Sequence, residues 1–229
     1  MIENEQILII AAHPDDEILG CGGTIVKLSK KNKITALILG EGIMSRNSII
    51  NKNAILKLRK DARKAQEIIG INNLYFEEFP DNSFDSIPFL KITKKTEDYI
   101  KKINPDIIFT HHHSDLNIDH RITFQAVLTS CRPQPDFKHP DIYCFEIPSS
   151  TDYQILTGEN IFKPNVFIDI TETIDIKLEA LKCYKSEIRQ FPHSRSIDGI
   201  KLMAQDWGRK VGKEYIEAFE LIRSIRNTL

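Results

Sequence analysis

A chain of 229 residues with 41% hydrophobic content can build one sizeable α/β core and is short for two independent ones. Its 31 Lys and Arg nearly cancel its 32 Asp and Glu, which excludes a whole-molecule field for nucleic acid or an anionic membrane, so any charged substrate is met locally. No apolar run approaches the roughly 20 residues that insert across a bilayer. Cys21, Cys131, Cys144 and Cys183 are scattered without metal or redox spacing, and the N-terminus enters a strand directly, which predicts a reduced, cytoplasmic protein.

In chain order, the first element is an apolar strand at 7–12, followed at once by His13-Pro14-Asp15-Asp16-Glu17 and a helix at 17–29. A strand at 34–39 leads to a helix at 54–69, closed by Gly70, and a third strand at 74–79 runs into Asp81-Asn82. After a helix at 89–103, the strand at 106–110 ends in the run from His111 to His120, and a helix follows at 119–131. Further strands fall at 142–147 and 165–170. This alternation predicts a Rossmann-like α/β fold, a largely parallel sheet flanked by helices. The last third reads as helical, at 174–189, 198–206 and 213–226, packed on the sheet and rimming the site. With no repeat or linker, residues 1–229 read as one domain.

Imidazoles and carboxylates delivered at two strand ends are metal chemistry in the place where α/β proteins build active sites. Two adjacent carboxylates, Asp15 and Asp16, permit a division in which one binds metal and the other moves protons. The residues suggest three protein ligands and an open position for water, as in a catalytic zinc centre, although iron or cobalt suits the same donors. Side chains alternate along a strand, so His111, His112 and His113 cannot all be ligands. His112 and His113 are expected beside the site. Asp119 is expected to cap the helix beginning there or to orient His120. Asp81, at another strand exit, is a candidate for hydroxyl groups of a substrate or for an Asx turn.

The motifs His13-Pro14-Asp15-Asp16-Glu17, Cys21-Gly22-Gly23-Thr24, Gly40-Glu41-Gly42, Arg59-Lys60-Asp61, Ile69-Gly70-Ile71 and Asp119-His120-Arg121 resemble, in order, those of the PIG-L or LmbE-like zinc-dependent de-N-acetylases. Pro192-His193-Ser194-Arg195-Ser196 and Tyr215-Ile216-Glu217-Ala218-Phe219 extend the resemblance over nearly the whole chain. It implies His13, Asp16 and His120 as zinc ligands and Asp15 as the base that deprotonates the activated water. It also implies Arg59, His193 and Arg195 as substrate contacts. Many members carry His where this chain has Asn117, and an amide donates to an oxyanion but cannot transfer a proton. Asn117 is therefore expected to stabilise the oxyanion, and either Asp15 moves all the protons, the reading preferred here, or His112 or His113 supplies the acid. The implied reaction is removal of an acetyl group from an amino sugar, a nucleotide sugar or a sugar conjugate. The alternatives are an amidase of thiol-sugar conjugates and a non-catalytic sugar-binding protein of the same fold. The carrier of the sugar and the oligomeric state, a homo-oligomer included, stay open.

Overall fold

The computed structural model describes residues 2–42, 52–135, 137–155 and 157–225. Its elements are β1 (Gln6–Ala11), α1 (Asp16–Leu28), β2 (Lys33–Gly40), α2 (Lys52–Ile69), β3 (Asn73–Phe79), α3 (Phe89–Ile103), β4 (Ile107–His111), α4 (Ile118–Ser130), β5 (Asp141–Phe145), β6 (Val166–Asp169), α5 (Ile174–Leu181), α6 (Ile197–Val211) and β7 (Ile216–Arg223). The strands form one sheet in the order β3-β2-β1-β4-β5-β7-β6. The first five pair in parallel, and β7 runs antiparallel to both its neighbours.

Helix-covered faces explain why β1 and β2 are almost continuously apolar: a strand buried on both sides has no polar face to alternate with. One core joins α1, α2, α5 and α6 to one face of the sheet, and a second joins α3 and α4 to the other. The chain proceeds from β1 outward to β3, then crosses to β4 on the other side of β1. The gap between the C-terminal ends of β1 and β4 is thus the switch point where open α/β sheets bind ligands. Both ligand-rich segments of the sequence leave the sheet there.

The C-terminal reading needs two corrections. The helix expected at 213–226 is instead β7, inserted between β5 and β6. Glu217 and Glu220, three apart, mimic a solvated helix face, yet both are buried and engaged by other elements. The helix expected at 174–189 stops at Leu181, and the following turns bring Tyr184, Glu187 and Arg195 towards the loop after β1.

Helix α1 is broken at Cys21, whose φ of −143° and ψ of 16° leave the helical region. The break strands backbone groups inside the protein, and such groups need partners. Glu217 on β7 accepts from the amides of Gly23 and Thr24 at 2.8 and 2.6 Å, while Lys177 on α5 donates to the carbonyl of Leu19 at 2.7 Å. Lys177 and Glu217 also pair with each other at 2.7 Å, with both side chains buried. At Gly20 an added Cβ would lie 2.4 Å from the Phe145 ring, so the close approach of α1 to β5 requires glycine there.

Candidate metal centre and active site

Three donor atoms form the centre. His13 Nδ1 lies 3.4 Å from Asp16 Oδ2, His120 Nε2 lies 3.3 Å from the same oxygen, and the two nitrogens are 3.3 Å apart. Metal bonds of about 2.0–2.2 Å at tetrahedral angles separate neighbouring donors by about 3.3–3.5 Å, so this triangle has the size of one face of a zinc site. The far nitrogens agree. His13 Nε2 is 3.0 Å from Asp119 Oδ2 and 3.3 Å from Asp81 Oδ1, and His120 Nδ1 is 3.1 Å from Asp115 Oδ2. A carboxylate behind each ring fixes the proton on the outer nitrogen and leaves the inner lone pair for a cation. Asp16 Oδ1 is buried without a hydrogen-bond partner, a further donor that fits a cation and little else.

The carboxylates are themselves anchored. Asp115 accepts from Ser150, from Thr151 at 2.6 Å and from the Asn117 amide at 2.8 Å. Asp119 Oδ1 accepts from the Phe84 amide at 2.9 Å, which ties the centre to the turn after β3. Burial pulls the His13 imidazole down, but Asp119 and Asp16 outweigh it and carry it to about 10. His120 is likewise carried to about 9 by Asp16 and Asp115 against burial. Burial pushes Asp16 up, but the charge of His120 and hydrogen bonds with His120 and His13 hold it well below the usual carboxylate range. Such a negative nest is completed by positive charge, as protons or as a metal ion.

Asp15 sits beside the triangle in a left-handed conformation, φ 110°, uncommon for a residue with a Cβ and often found at active sites. Its Oδ2 accepts from Arg195 Nη1 at 3.1 Å, and burial pushes its carboxyl well up while Arg195 opposes.

The remaining expectations divide. His193 lies on the same loop as Arg195 and accepts its backbone amide at 3.0 Å, with its ring 6.3 Å from Tyr153. Arg59 is held at 3.4 Å from Glu78 and lies over the Phe76 ring, so its contacts are with β3. Asp81, expected to meet hydroxyls or to make an Asx turn, places its Oδ1 3.3 Å from His13 Nε2. Asp119, expected to orient His120, orients His13. Asn117 is engaged at both ends: its Oδ1 caps α4 at the Asp119 amide, 2.8 Å, and one Nδ2 hydrogen goes to Asn82 at 2.9 Å, which leaves the second hydrogen of that amide for another acceptor.

Strand alternation sorts the three consecutive histidines. His111, not His112 or His113, faces the centre, its ring stacked 3.9 Å from that of His120. Its Nε2 accepts the Ala12 amide at 2.9 Å, so it has no lone pair there for a metal and stays a neutral packing partner. His112 and His113 converge with Glu220 on the other side. His112 Nδ1 accepts from the Ser114 amide at 3.3 Å, which puts the proton on Nε2 facing Glu220 Oε2 at 3.3 Å. In that tautomer His112 has no lone pair free for a metal, and it meets Glu220 as a histidine–carboxylate contact. Sequence reasoning missed Asp115, Glu17, Tyr184 and Glu187; a carboxylate five residues before His120 was the one available signal.

A carboxylate beside a three-donor cation site, at the switch point of a parallel sheet, defines a metal-dependent hydrolase. The GlcNAc-PI de-N-acetylase family, PIG-L, matches residues 8–131. The Escherichia coli uncharacterized deacetylase YaiS is 30% identical over 187 residues, 79% of this chain and 90% of that protein. A probable N-acetyl-α-D-glucosaminyl L-malate deacetylase 2 of Bacillus cereus is 30% identical over 190 residues, 79% of this chain and 83% of that one. The N,N'-diacetylchitobiose deacetylase structure from Pyrococcus horikoshii superposes with a TM-score of 0.76 at 23% identity, covering 95% of this chain and 84% of that one. The chain belongs to the PIG-L family of metal-dependent de-N-acetylases and is an N-deacetylase.

Proposed function

We propose that this enzyme removes the acetyl group from an N-acetylated amino sugar, free or carried on a small conjugate, with zinc held by His13, Asp16 and His120. The reading is carried by the donor triangle with 3.3–3.4 Å edges and a carboxylate behind each imidazole. Zinc bound there supplies a Lewis acid that polarises the acetamide and acidifies water.

The chain's own residues supply the proton path. Asp15 takes the proton of the attacking water on its carboxylate and returns it to the departing amine, so one group serves both halves of the reaction. Arg195, 3.1 Å from Asp15 Oδ2, opposes the burial that pushes that carboxyl up and holds it at the edge of the centre. His193, on the same loop, and Arg59, on the rim, are the substrate contacts of this reading. Asp81 and Asp119 hold His13. Four free cysteines fit a reduced, cytoplasmic setting, and a single domain over residues 1–229 belongs to the same reading. Among the described residues no helix is long and apolar enough to cross a membrane.

The deciding experiment measures metal content of the purified protein and acetate release from N-acetylglucosamine, N,N'-diacetylchitobiose, N-acetylglucosaminyl malate and UDP-N-acetylglucosamine. Stoichiometric zinc with acetate released from at least one of them supports the reading. A metal-loaded protein that releases acetate from none of them overturns the sugar assignment.

A further inference from the structure

Asp15 occupies the N-cap position of α1, where an aspartate ordinarily swings its carboxylate back onto the exposed amides of the first helical turn. Here it makes no such bond, and its carboxylate reaches Arg195 instead. The reason lies two residues on. Glu17 turns back towards the helix start, and its Oε2 accepts the Asp15 backbone amide at 3.0 Å. Its other oxygen accepts the hydroxyl of Tyr184, from the turns after α5. Glu17 is 1% exposed and Tyr184 0%, so neither side chain touches solvent or has room to swing.

We propose that Glu17 and Tyr184 are positioning residues for the proton-transfer step: together they lock the Asp15 backbone at positive φ and so aim its carboxylate away from the helix and at the reaction. The inference rests on Asp15 being the base. A buried carboxylate spent on one strained amide is more than a helix start needs, because the Asp16, Ile18 and Leu19 amides already find the carbonyls of His13 and Asp15. What the pair adds is a fixed backbone angle at one residue. If that angle relaxes, Asp15 falls back onto the helix end as an ordinary cap, and a displacement of about 1 Å costs about 10²-fold in rate.

The test compares metal-loaded Glu17→Ala, Glu17→Gln, Tyr184→Phe and Asp15→Asn in steady-state acetate release, with zinc content and melting temperature measured on each. Glu17→Ala is expected to lose about 10²-fold in kcat with KM and zinc content unchanged. Glu17→Gln keeps an acceptor for the Asp15 amide and a partner for Tyr184, and recovers most of that loss. Tyr184→Phe falls between wild type and Glu17→Ala, and carries the test with Glu17→Gln if Glu17→Ala does not fold. A lowered melting temperature with kcat intact in the folded Glu17 and Tyr184 variants, while Asp15→Asn is inactive, overturns the positioning role and leaves the base assignment standing. Near-normal turnover in Asp15→Asn removes the base and the proposal with it.

Discussion

Two buried carboxylates, Asp115 and Asp119, decide which nitrogen of each imidazole is available, so they matter to the metal as much as the ligands do. Alanine at His13, Asp16 or His120 is expected to remove most bound zinc, whereas Asp15→Asn keeps the metal and loses turnover by roughly 10² or more. Elemental analysis beside kinetics separates the two outcomes, and full zinc in a folded ligand variant refutes that ligand. Asp115→Asn and Asp119→Asn are expected to weaken zinc by about 10–100-fold, read by competition with a chelator. Equal affinity in both would show that the rings are oriented by something else. Asn117→Ala should cost about 1 kcal/mol through loss of the α4 cap, with little change in single-turnover rate. A tenfold slower chemical step in the folded variant would return Asn117 to the mechanism. The two ligand-rich segments were legible because each follows an apolar run, and the family resemblance singled out His13, Asp16 and His120 within them. Their pairing was not: nothing local says that Asp119 serves His13, 106 positions away, while Asp115 serves His120.

At the level of elements, β1, β2 and β4 were readable because each is a doubly buried apolar run punctuated by turn residues, and the half-buried edge strand β3 by its aromatic residues after Gly70. β7 was not. Its glutamates look solvated in sequence and become structural only when Glu217 meets the broken turn of α1 and Glu220 meets the β4 exit. Tertiary partners overrode the local pattern, as they do where polar side chains replace backbone bonds. Glu217→Ala is therefore expected to be costly, because it leaves Lys177 as a buried unpaired cation and strands the Gly23 and Thr24 amides. A loss of about 3–5 kcal/mol in denaturant unfolding is the expected size. A loss below 1 kcal/mol would mean that water or another group takes over. The early end of α5 was equally hidden, since the sequence from Lys182 to Arg189 remains compatible with a helix until Tyr184 is needed beneath Asp15.

For the molecule as a whole, near-neutral net charge conceals a concentration of carboxylates on the face that holds the centre. Another carboxylate, Glu146 beside Trp207, sets a pH dependence of its own. Burial pushes Glu146 up to about 7, with the Trp207 indole opposing. The folded state then binds that proton more tightly than the unfolded chain. Its contribution to stability is full below the ordinary value of 4.5 and is lost as pH rises through about 7. Glu146→Gln is expected to gain in melting temperature relative to wild type as pH is raised from 5 to 8. A constant difference across that window would show that Glu146 titrates normally.

The break in α1 also bears on how the protein is made. Ribosomes release the metal-binding loop and α1 first, yet the amides of Gly23 and Thr24 are closed by a side chain 194 and 193 positions further along. Until residue 217 has left the exit tunnel, the first helix has an open wound in its hydrogen-bond ladder, directly behind the loop that presents His13 and Asp16. Tyr184 and Arg195, which hold Asp15 and its loop, are late arrivals too. The candidate site at this end of the fold is therefore laid down early and closed late, when β7 and the turns after α5 take their places.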